Sequence, residues 1–213
     1  MKEKVLIIAM LAGVSFAAAA PSALELAAQF GTGAQAFELK GQHARQQLVA
    51  TAKDGGKDVD VTRVVKYSAT PARVVTISPH GMVTPLGDGE AIITATIGKL
   101  KSVVKVEVEQ FSVVQPINFA NQIVPLFTKA GCNSGGCHGK SGGQNGFRLS
   151  LLGFEPQEDF EYLVKEGRGR RLSPAAPANS LLLLKAAAIL PHGGGARLDP
   201  KGYDYQLITR WIA

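Results

Sequence analysis

Two hydrophobic rhythms divide the chain. Across residues 24–110, short runs rich in Val, Ile and Thr recur at 47–52, 64–69, 74–78, 91–97 and 103–108, the composition and length of strands. Lys53-Asp54-Gly55-Gly56, His80-Gly81 and Gly87-Asp88-Gly89 punctuate them with residues that favour turns. Short strands at this spacing predict a β-sandwich. Past a linker at 111–116 the period changes. Phe119, Ile123, Leu126, Phe127 and Ala130 fall at i, i+4, i+7, i+8 and i+11, the stripe of an amphipathic helix. A second helix is expected at 155–166 with Phe160, Leu163 and Val164 inward. A third should hold the leucines after Asn179-Ser180, either of which can cap it. A last one, over 203–212, would bury Leu207, Ile208, Trp211 and Ile212, with Asp199-Pro200 as cap and first turn.

The N-terminus has a different character. Lys2 and Lys4 precede an apolar run from Val5 to Phe16 and then Ala17 to Ala20, the layout of a secretory signal over residues 1–20. The run is short for a bilayer span. Export to the periplasm or cell surface is therefore expected, with no membrane association beyond that segment. The expected organisation is a signal at 1–20, a β domain at 21–110, the linker, and a helical domain at 117–213.

Charge adds little. Of the formal net charge of +6, +4 falls in residues 111–213, where it could meet the carboxylates of a ligand or an acidic partner. It is too weak, and the chain too poor in aromatics, for a nucleic-acid-binding surface. No Ser-His-Asp set, phosphate loop or carboxylate pair stands out, so the chain is not expected to be an enzyme. Glu155, Glu158, Asp159 and Glu161 read as surface charges, and the isolated His43 and His80 as loop histidines.

The candidate chemistry sits in Ala130-Gly131-Cys132-Asn133-Ser134-Gly135-Gly136-Cys137-His138-Gly139, which holds both cysteines of the protein. A C-x4-C-H run is a longer-spaced form of the C-x-x-C-H signature of haem c attachment, in which two thiols bond the haem vinyl groups and the histidine becomes the proximal iron ligand. Gly135 and Gly136 could loop the extra residues out. Two other readings stay open: a Cys132–Cys137 disulfide in a structural or adhesive module, and zinc held by Cys132, Cys137, His138 and His192. Phe147, Leu149 and Leu151 could wall an apolar pocket or be plain core. Arg168, Arg170 and Arg171 could form bidentate pairs with carboxylates or make a solvated basic loop.

Two resemblances sharpen this. Asp60-Val61-Thr62, residues 71–78, Gly81-Met82-Val83-Thr84 and residues 89–95 resemble the bacterial Ig-like group 2 domain, which implies a spacer, adhesive or docking module. The AGCNSGGCHG run resembles the planctomycete-type cytochrome-c-like domain. So do residues 173–185, with that family's P-x-x-P-x-x-S-x-L pattern, and the closing Trp211-Ile212. This second resemblance implies a small all-α domain carrying one covalent haem c, with Cys132 and Cys137 as attachment points and His138 as proximal ligand. Phe147, Arg170 and Arg171 would meet the haem, and a redox partner protein would exchange its electrons. Family members usually place a methionine where this chain has Leu190-Pro191-His192-Gly193-Gly194-Gly195. Met1, Met10 and Met82 all precede the motif, which leaves His192 as distal ligand, or a five-coordinate iron with His192 nearby. Similar modules belong to larger exported proteins, so further domains are also expected partners. The expected fold is thus multidomain: an all-β Ig-like sandwich followed by a small all-α cytochrome-c-like domain.

Overall fold

Alternation of buried and exposed side chains shapes the first half of the chain. The computed structural model describes residues 21–28 and 36–213; the expected export signal at 1–20 lies outside the described residues. These divide into two units at Gln115 and Pro116. Among the described residues of the first unit, nine strands follow in order: β1 (Ala23–Ala28), β2 (Ala36–Lys40), β3 (Gln46–Asp54), β4 (Lys57–Asp60), β5 (Lys66–Thr70), β6 (Val75–Ile77), β7 (Met82–Pro85), β8 (Gly89–Ile97) and β9 (Leu100–Glu109). One sheet has the order β1-β3-β7-β6, with β4 also on β3; the other has the order β2-β9-β8-β5.

The register places like residues opposite each other. Leu26 pairs with Ala50, and Ile93 with Val104 and Ala91 with Val106. Leu48, Ala50 and Ala52 in β3 and Val104, Val106 and Val108 in β9 are buried while the residues between them are not, the two-residue period of a strand. Leu26, Leu48, Ala50 and Val83 from one sheet join Leu39, Ile93, Val104 and Val106 from the other in a single core. Full burial of a side chain such as Leu48 or Ile93 contributes about 1.5–3 kcal/mol. The Asp60-Val61-Thr62 corner is locked by polar groups. The Thr62 hydroxyl accepts from the Ala50 amide at 2.9 Å, Asp60 accepts from the Thr62 amide at 2.9 Å, and Tyr67 donates to the Thr62 carbonyl at 3.0 Å. Burial pushes the Tyr67 hydroxyl up to about 12.

The second unit is not the all-α domain expected for 117–213. The two sheets are the dominant regular structure of the described chain, and the helices after Pro116 are few and short. A π-helical turn at Phe119–Ile123 runs into α1 (Val124–Lys129), followed by α2 (Pro156–Val164), α3 (Leu181–Ala186) and α4 (Tyr203–Ile212). Single 3-10 turns and irregular chain fill the rest. The reason is compositional. Fourteen glycines and seven prolines fall after residue 115, and both residue types interrupt helices.

A core forms nonetheless. Ile123, Phe127, Leu163, Leu183 and Ile208 are its buried centre, and Phe119 packs on Trp211 with ring centres 5.0 Å apart. Three local expectations change. Asp159 is not a surface charge: it is buried and accepts from the Ser150 hydroxyl at 2.8 Å. Val164 points outward, 36% exposed. Asp199 caps its own turn at the Lys201 amide, and Gly202 stands at the start of α4.

Candidate functional site

The end of α1 sets the site. Ala130 closes the helix, and Gly131 follows in the left-handed region with φ of 74°. The Cys132 amide reaches back to the Phe127 carbonyl (2.8 Å) and the Gly131 amide to Thr128 (3.0 Å), the paired bonds of a Schellman stop. From there the chain coils tightly. Cys137 donates to the Ser134 carbonyl, Gly139 donates to the same oxygen, and the His138 amide donates to the Cys132 carbonyl at 2.9 Å. The four residues between the cysteines are thus looped out, and His138 returns to the residue that began the motif. Gly139 is required for this return, because a Cβ there would run into the Asn133 carbonyl.

Both thiols are free and half-buried. Burial pushes the Cys132 thiol up, and the nearby Arg197 guanidinium partly opposes this. Among the described residues no three His, Cys, Asp or Glu side chains converge as a metal-binding group, so the tetrahedral zinc set is not assembled.

The two histidines are prepared alike. His138 Nδ1 lies 2.9 Å from the Phe147 carbonyl and His192 Nδ1 lies 2.8 Å from the Gly195 carbonyl. A carbonyl oxygen only accepts, so each Nδ1 carries the proton and donates. Burial holds His138 below the ordinary imidazole range, which keeps it neutral. A neutral ring with Nδ1 protonated leaves Nε2 as a lone pair, and a carbonyl partner of this kind is how ligating histidines are oriented. The rings lie 6.4 Å apart, centre to centre, and only 4° from parallel.

All seven predicted site residues, Cys132, Cys137, His138, Phe147, Arg170, Arg171 and His192, line one cleft of about 580 Å³. That size falls within the range of about 300–1,000 Å³ found for ligand sites. Phe147 packs against His138 with ring centres 4.5 Å apart, and Leu149, Leu181 and Leu182 add apolar wall. Leu151 does not join them and is 55% exposed.

The arginines divide by role. Arg170 is exposed at the cleft and available to a carboxylate. Arg171 is buried and committed elsewhere. It donates to the Tyr162 and Glu166 carbonyls at 2.8 Å and to the Gly146 carbonyl, and its guanidinium lies 4.7 Å from the Phe147 ring centre. These bonds hold the wall in place and use three of its five N–H groups. Arg168 is not part of the lining.

The sequence reading missed Lys185 and Arg197, which also line the cleft. Only their closeness in sequence to the His192 loop signalled them. No acidic side chain is among the cleft's described residues.

No family model matches this chain, and no curated protein matches it either. Among solved structures it is similar to the S-layer protein rSbsC(31-844) and to domains 1-6 of surface layer protein SbsC. Each is 21% identical over 43% of this chain and 15% of that one, with a TM-score of 0.33. A likeness this slight carries no argument about fold, location or function. No helix among the described residues is long and apolar enough to cross a membrane.

Proposed function

We propose that this chain is an exported electron-transfer protein that carries one covalent haem c in the cleft of residues 116–213. The single observation behind this reading is the pair of parallel, carbonyl-oriented imidazoles of His138 and His192, beside the free thiols of the C-x4-C-H loop. The residues fit such a group in size, apolar wall and ligand supply. Cys132 and Cys137 would each add across a vinyl double bond, sulfur to one carbon and hydrogen to the other, so that no outside oxidant is needed. His138 would be the proximal ligand and His192 the distal one, and Arg170 would face a propionate.

The bound haem supplies reversible one-electron chemistry. With His138 and His192 both holding the group, no position on it would be left open to a substrate, which would suit electron transfer better than catalysis. Imidazole in place of methionine lowers the reduction potential. The reaction is completed by a redox partner protein, and the Ig-like unit acts as spacer or docking module. Attachment of haem c outside the cytoplasm agrees with export to the periplasm or cell surface.

The test is the visible spectrum of protein exported by a host with haem c maturation machinery. Sharp reduced bands and a low-spin oxidised form are expected, with high-spin features appearing in His192→Ala. A colourless protein from that host would sink the proposal.

A further inference from the structure

The loop that carries His192 contains three consecutive glycines, the sequence that loses most conformational freedom on being fixed. It is nonetheless held at several points. Lys185, at the end of α3, donates through Nζ to the Pro191 carbonyl at 2.6 Å. Arg197 donates through Nε to the Gly194 carbonyl at 2.7 Å. The His192 ring closes the turn on Gly195, whose amide donates back to the His192 carbonyl at 2.9 Å.

The clamps are themselves anchored. The Arg197 and Leu198 amides both donate to the Ala186 carbonyl, at 2.7 and 3.1 Å, and Leu198 is buried in the core. The Arg197 guanidinium also reaches the motif loop: a Cβ built on Gly131 would lie 3.8 Å from its Nη1. One side chain therefore bonds the loop of His192 and lies near the turn that delivers Cys132.

The geometry points to Lys185 and Arg197 as positioning residues that clamp the 191–195 loop so that the His192 ring stays opposite His138. This rests on the haem reading, and it adds how a glycine loop can present a ligand at all. Without the clamps the loop regains its freedom, and the share of molecules with His192 on the iron falls.

The experiment uses the full exported chain with Lys185→Met, Arg197→Gln and both together. Its probe is imidazole added to the oxidised protein, which competes for the distal position. Each single variant should bind imidazole about tenfold more tightly than the wild type, the scale of losing one charge-assisted hydrogen bond, and the double variant, which loses two such bonds, more tightly still. It should also gain high-spin bands while haem stays on the chain in a denaturing gel. Lys185→Arg, which keeps a donor, should behave as the wild type. An unchanged imidazole affinity and spectrum in a haem-loaded double variant would overturn the clamp alone. A wild type without haem on the gel would overturn the clamp and the haem reading together.

Discussion

Single atoms decide whether the motif loop can close. Gly139 lies against the Asn133 carbonyl with no room for a Cβ, so Gly139→Ala must push the loop open or shift it. The expected result is a folded chain whose haem yield drops severalfold, measured as the ratio of haem absorbance to protein; an unchanged yield would show that the return of His138 tolerates movement. His138 provides a pH test in the haem-free chain. Its folded-state affinity for protons is lowered by burial, relative to an unfolded value of about 6.5. The unfolded chain therefore binds the proton more readily, so His138 favours folding fully above that value and progressively less as pH falls through it. The urea midpoint of the unit holding His138 should decline between pH 7.5 and pH 5, and the decline should be shallower in His138→Phe.

Elements translate these local constraints into positions. The π-turn and α1 end at Lys129, just before the Gly131 turn, and α3 ends beside Lys185; irregular chain carries Phe147 and Arg171 between these two helices and His192 after the second. In α4, Leu207, Ile208 and Ile212 are buried, and Ile208→Ala should cost about 2–5 kcal/mol, seen as a lower denaturant midpoint for this unit. At this scale the chain was partly legible. Alternating β-branched runs announced β3, β5, β6, β8 and β9, because one buried face forces a period of two. The alternation in β2 is too brief to announce a strand, and β2 exists by parallel pairing with β9, a long-range event that no local pattern records.

The helical half was less legible. The stripe from Phe119 to Ala130 marked a helix, but glycine and proline cut the remainder into pieces, and the expected all-α domain did not form. The site residues could still be named because their chemistry is rare. Two cysteines and one histidine in ten residues leave few readings, whereas Lys185 and Arg197 look like any other surface cations until the fold brings them to the cleft. Asp159 was misread for the same reason, since only tertiary structure pairs it with Ser150.

For the whole molecule, the division of labour follows the two cores. The sandwich buries aliphatic residues between two sheets. The unit from Pro116 gives up regular structure for a cleft lined by two thiols and two oriented imidazoles. The claim that joins these facts is covalent attachment of one haem through Cys132 and Cys137. The most direct measurement is the intact mass of the denatured chain from a haem-c-maturing host, beside a variant in which both cysteines are serine. The account predicts a wild-type mass raised by that of one haem and no such increase in the variant. A wild-type chain at its bare polypeptide mass, with its thiols unmodified, would contradict it.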